Sequence, residues 1–134
     1  MVPDERVGRL VDAAVREADP ALTEVFGHLA AGRGKGVRGA LVLTSAAAVR
    51  PGVDPPLVLA AGIELLHLAT LHHDDVVDGA DTRRGRPSVN ARWGDHVATF
   101  AGTYLVARAI ELLTTGGAVI DDAAARCTAE LWNG

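Results

Sequence analysis

Cysteine occurs once in the 134 residues, at Cys127. No disulfide can form within the chain, and a reducing, cytoplasmic setting fits. Aromatic residues make up only 4% of the chain, although 49% of it is hydrophobic. A core with so few rings must be built from Ala, Leu and Val, which favours tightly packed helices over a β-sandwich. An excess of positive charge is also missing. The net charge of −4 argues against a general nucleic-acid binder. The N-terminal MVPDERVGRL carries acids and has no apolar centre, so it is not a signal peptide. The apolar runs are short and interrupted, so no transmembrane segment is expected. There is no internal repeat, low-complexity tract or long linker, and residues 1–134 read as a single domain.

What the chain does have is concentrated in Glu64–Arg86, ELLHLATLHHDDVVDGADTRRGR. Leu65, Leu66, Leu68 and Leu71 run into Asp74, Asp75, Asp78 and Asp81, followed by Arg83, Arg84 and Arg86. Carboxylates clustered at the end of an apolar segment are costly unless they hold cations. On a helix, Asp74 and Asp78 share one face. Two hard oxygen ligands on one face suit Mg²⁺, which keeps several waters and takes further ligands from a phosphate. Guanidinium forks about one turn later suit phosphate oxygens. Together these residues describe a diphosphate-handling site.

The rest of the chain reads as helices. Asp4 can cap a first helix with Val7, Leu10, Val11, Ala14 and Ala18 at helical spacing. Pro20 restarts the chain, and Leu22, Val25, Phe26 and Leu29 form a second stripe. Ala31–Gly39, AGRGKGVRG, is a glycine-rich basic loop, by itself an ordinary solvated connection. Leu41–Val49 is a helix of small residues, Arg50–Pro56 a turn, and Leu57–Asp78 one long helix of about 33 Å. His67, Leu71, Asp74 and Asp78 follow a 4-3-4 spacing along one face. His72 and His73 carry no specific assignment beyond a surface or structural one. Gly79–Gly85 forms a loop, and Pro87 can open the next helix at its first position. His96–Thr114 places Val97, Phe100, Ala101, Tyr104, Leu105 and Ala109 on one side, and Asp121–Trp132 gives a last helix.

DDVVDGADTRRGRPSV, preceded by ELLH, resembles the first aspartate-rich motif of the trans-isoprenyl diphosphate synthases (polyprenyl synthetases). The resemblance runs from about Leu29 to Gly134 and covers the first half of such an enzyme. It implies an all-α antiparallel helical bundle, the first half of an isoprenoid-synthase-type fold. It implies prenyl transfer, with Asp74 and Asp78 binding Mg²⁺ and Asp75 supporting that metal site. Arg83 would neutralise the leaving diphosphate of an allylic substrate. Lys35, Arg38, His67 and Arg84 would hold isopentenyl diphosphate. KGVRG stands where the family motif reads KRxRP, so Gly36 replaces an Arg and Gly39 a Pro. Ala69 and Thr70 occupy the positions whose bulk limits the growing prenyl tail, and their small size implies a product of C20 or longer.

A second aspartate-rich motif is not found in Thr115–Gly134, where Asp121-Asp122 is followed by Ala-Ala-Ala-Arg. A split enzyme is expected, an obligate hetero-oligomer completed by a subunit carrying the second half. One rival is a non-catalytic regulatory subunit of a prenyl synthase. Another is an HD-type metal-dependent phosphohydrolase, with His73-Asp74 as its doublet and His28 or His67 as further ligands.

Overall fold

Two long helices set the spine. The computed structural model describes residues 4–16, 20–32 and 34–133. In chain order the elements are α1 (Glu5–Arg16), α2 (Thr23–Ala31), α3 (Val37–Val49) and α4 (Leu57–Val77). A hairpin of β1 (Thr82–Arg83) and β2 (Arg86–Pro87) follows, then α5 (Val89–Trp93), α6 (Asp95–Thr114) and α7 (Ala118–Asn133). The fold is all-α apart from that two-residue-per-strand ribbon.

The spine is α4 against α6. A Cβ on Gly62 would lie 2.9 Å from Leu113 Cγ, and one on Gly102 would lie 2.6 Å from His73 Cε1. Contacts rise along α4 as they fall along α6, so the two helices run antiparallel. Glycine at these crossings lets the backbones approach where any side chain would hold them apart. Ala60, Ala61, Leu65, Ala69, Ala98, Ala101, Leu105 and Ala109 are completely enclosed between them and their neighbours. This is the alanine-rich core that the scarcity of aromatics demands. Within it Phe26 on α2 and Tyr104 on α6 pack with ring centroids 4.9 Å apart.

α1 buries Val7, Val11, Ala14 and Val15, and α2 buries Val25, Phe26 and Leu29. Leu10 and Leu22 are partly buried against the same core, and Ala18 lies outside the described residues. Asp4 Oδ1 accepts the Arg6 N–H at 2.8 Å, so Asp4 does cap α1.

Several boundaries differ from the expectations above. α3 begins at Val37, four residues before Leu41, because Gly36 in the left-handed region (φ +63°) starts the helix inside the basic loop. Pro87 belongs to β2, and Ser88 is the residue that caps α5, its Oγ accepting the Ala91 N–H at 3.2 Å. α7 begins at Ala118. On α6 the enclosed face is Ala98, Ala101, Gly102, Leu105, Ala109 and Leu113, whereas Phe100 is 57% exposed. By length and composition alone α6 is long and apolar enough to cross a membrane, which the sequence had not suggested; here it is the core partner of α4.

The glycine crossing supplies a stability test. Gly62→Val forces two methyl groups against Leu113 and the Ala109 carbonyl, which a Cβ alone would meet at 3.3 Å. We expect a loss of about 2 kcal/mol, read as a lower urea midpoint with an unchanged m-value.

Candidate active site

The aspartate cluster ends α4. Asp78 is its C-cap, and Gly79 follows with φ +60°. Gly79 N–H donates to Val76 O at 3.3 Å and Ala80 N–H to Asp75 O at 2.9 Å. This paired closure is a Schellman motif, and it requires a residue that accepts positive φ at Gly79. Asp74 and Asp78 thus sit in and just beyond the last turn with exposed side chains. Hard carboxylate oxygens one turn apart and open to water are a donor set that fits Mg²⁺ with its retained waters.

Asp75 has a different fate. It is 2% exposed, and Arg83 donates to both its oxygens, Nε to Oδ2 and Nη2 to Oδ1, each at 2.7 Å. A buried carboxylate needs such a partner. Both its oxygens are thus engaged by Arg83, on the inward side of the turn that leaves Asp74 and Asp78 exposed. The same pair holds the Arg83 pKa above its ordinary value, with the Asp75 hydrogen bond as the main cause. Among the described residues no three His, Cys, Asp or Glu side chains converge as a metal cluster.

RRG is the turn of the hairpin. Thr82 pairs with Pro87 and Arg83 with Arg86. The two residues between, Arg84 (φ +53°) and Gly85 (φ +74°), both have positive φ, as a type I′ turn requires. The hairpin sends its three arginines to three places. Arg83 returns to Asp75. Arg84 Nη1 donates to Gly32 O at 3.1 Å, beside the basic loop. Arg86 Nη2 lies 3.3 Å from His28 Nδ1, which accepts. The His28 Nε2–H then donates to Pro87 O at 2.7 Å, so both ring nitrogens are committed.

A cleft of about 810 Å³ opens between α1, α3 and α4. It brings together Lys35, Arg38, His67 and Arg84, four residues from three separate stretches of the chain. Burial first, and the neighbouring Arg38 second, push the His67 pKa below its ordinary 6.5, so the ring is neutral at pH 7 and acts as a hydrogen-bonding group. Acids share the cleft: Asp4 and Glu5 at the start of α1, and Glu64 on α4. Asp4 is tied to Arg6, whose hydrogen bonds hold its pKa down to about 2. Ala69 does not face the cleft; it is completely enclosed in the core. Thr70 is half-buried, its hydroxyl donating to His67 O at 2.8 Å.

The contacts of three polar residues were not anticipated from the sequence. Glu64 accepts the Gly39 N–H at 2.7 Å. Asn90 donates to Ala80 O at 3.0 Å, tying α5 to the end of α4. His28 anchors the hairpin. Glu64 had a signal, an acid one turn before His67; Asn90 and His28 had none, because their partners are backbone carbonyls far along the chain.

The polyprenyl synthetase family model matches residues 19–131. The chain belongs to that family. It is 45% identical over 114 residues to the nonaprenyl diphosphate synthase of Mycobacterium tuberculosis, covering 84% of this chain and 34% of that protein. It is 34% identical over 108 residues to heptaprenyl diphosphate synthase component 2 of Bacillus subtilis, covering 81% and 31%. The crystal structure of a decaprenyl diphosphate synthase from Rhodobacter capsulatus matches with a TM-score of 0.83 at 38% identity, over 93% of this chain and 39% of that one. The chain spans about a third of the length of these relatives. Polyprenyl synthetase membership displaces the HD-type reading. The geometry agrees: the His73 ring packs on Gly102 with Nδ1 3.1 Å from Ala69 O, and His28 is held by the hairpin.

Behind the hairpin, His72 is 6% exposed, and neither ring nitrogen has a partner among the described residues. Burial lowers its pKa from 6.5 to about 4. The unfolded chain therefore takes up a proton near pH 6.5 that the folded chain refuses until near pH 4. Stability must fall as the pH drops through that window, by about 3 kcal/mol in all. Urea unfolding across it should show the slope, and His72→Leu should remove most of it.

Proposed function

We propose that this chain forms one wall of a prenyltransferase active site that joins an allylic diphosphate to isopentenyl diphosphate. The observation that carries the reading is the meeting of Lys35, Arg38, His67 and Arg84 in one cleft on the helix that ends in Asp74 and Asp78. Two diphosphates need two separate places. His67 lies about 10 Å along α4 from Asp74, at 1.5 Å per residue, which is room enough for both.

Asp74 and Asp78 would hold Mg²⁺, which would supply neutralisation of the allylic diphosphate as it leaves. Arg83, braced by Asp75, keeps Nη1 for that leaving group. Lys35, Arg38 and Arg84 bind the second diphosphate by charge, and neutral His67 adds a hydrogen bond. Their rigid placement orients the isopentenyl double bond towards the allylic carbon. The allylic C–O bond breaks, the double bond attacks the cation, and the proton lost in closing the new alkene goes to the released diphosphate. Thr70, half-buried one turn before Asp74, is the tail-side residue on α4 that side-chain bulk would reach; with a residue this small there, products of C20 or longer follow.

The remaining metal ligands come from a second-half subunit, in a cytoplasmic hetero-oligomer. Exposed Val37, Leu41 and Val49 on α3 and Phe100 on α6 support a partner where they group into an apolar patch, since such patches mark interaction sites. A regulatory subunit is the second reading, and it draws on Gly36, where the basic motif has lost a cation.

Asp74→Ala or Asp78→Ala should lower turnover of the assembled enzyme by on the order of 10² or more, with helix content kept. Incorporation of labelled isopentenyl diphosphate measures this, and near-normal turnover in both variants would remove the assignment. Sedimentation should give a hetero-oligomer; a monodisperse monomer that condenses prenyl diphosphates unaided would sink the partner.

A further inference from the structure

Glu64 is a carboxylate in a cleft read here as taking an anion, and its charge opposes that anion. Its contacts point to a different use. Gly36 is the N-cap of α3, and the N–H groups of the first turn have no partner within the helix. The Gly39 N–H in that turn donates to Glu64 Oε1 at 2.7 Å, joining α3 to α4 across 25 residues. Room for the approach exists because position 39 has no side chain. A Cβ there would lie 3.2 Å from Glu64 Cγ, 3.3 Å from Ala60 O and 3.3 Å from Val7 Cγ1. A proline, the residue of the family motif, has no N–H to give. The bond therefore belongs to this chain's KGVRG version of the loop.

We propose that Glu64 is a positioning residue for the anion cleft, tying the first turn of α3 to α4 so that Lys35 and Arg38 stand ready beside His67. The inference rests on the reading of this cleft as the isopentenyl diphosphate site. Lys35 and Arg38 flank the tied turn, and both are exposed. Gly36 between them gives the backbone wide freedom and no cation of its own. A loop of that kind must be ordered at binding unless something orders it beforehand, and prior ordering is a gain in affinity. Glu64 weakens the cleft by its charge and strengthens it by its hydrogen bond.

Two variants separate these effects. Glu64→Gln keeps an acceptor and removes the charge. Glu64→Ala removes both, so the two variants carry the same net charge. Isopentenyl diphosphate is titrated calorimetrically into the full chain without magnesium, at a temperature where circular dichroism shows full helix content. Glu64→Met, which keeps the stem and lacks the acceptor, repeats the comparison if the Ala variant does not reach full helicity. The Gln variant should bind at least as tightly as the unaltered chain and about tenfold more tightly than the Ala or Met variant. Equal affinities of the Gln and acceptor-free variants would overturn the positioning role. An unaltered chain with no measurable affinity would overturn the reading of the cleft itself, and the inference with it.

Discussion

Asp75 cannot remain alone where it is. It lies in the last turn of an apolar helix at 2% exposure, and a charge so placed must be matched. Its match is eight residues later in the chain, so everything between must fold back. The Schellman closure at Gly79 ends α4, and the tight turn at Arg84-Gly85 returns the strand. Once Arg83 is docked, Arg84 and Arg86 have little choice of direction. One falls beside the glycine loop and the other on His28. The two aspartates that flank Asp75 in the motif are left outward-facing, available to a cation because the inward carboxylate is already satisfied.

Much of the fold was legible because α4 is so strongly patterned. Its length, its aspartate face and its end followed from apolar spacing and from a glycine after Asp78. The faces of α6 were less legible. In a core built from alanine and glycine, the enclosed side is chosen by close backbone approach. The large apolar residues do not mark it, and Phe100 therefore misled. Ala69, read as a neighbour of the prenyl tail, is completely enclosed in this chain. A small side chain fits equally well beside a substrate or inside a helix crossing, and only the position of α6 separates the two.

At the site, the residue types were readable and the pairings were not. Carboxylates followed by arginines signal diphosphate chemistry, but nothing in the spacing says that Arg83 is spent largely on Asp75. Position along the chain likewise hides the bond between Gly39 and Glu64, because it joins a loop read for its two cations to a helix read for His67 and its aspartates. The start of α3 moved for the same reason: a left-handed glycine can begin a helix as well as interrupt one.

The hairpin's anchors carry a consequence for the order of assembly. Arg84 meets Gly32 across 52 residues, Arg86 meets His28 across 58, and His28 meets Pro87 across 59. Closing loops of this length is entropically unfavourable until much of the chain is already compact. The antiparallel pair of α4 and α6 is separated only by residues 78–94, a much shorter closure, and can form earlier. The cleft, whose walls come from both ends of these long closures, is then among the last features to appear and among the first to loosen. Local opening would disperse Lys35, Arg38, His67 and Arg84 while the spine stays helical, so the cleft would be lost before any loss of secondary structure.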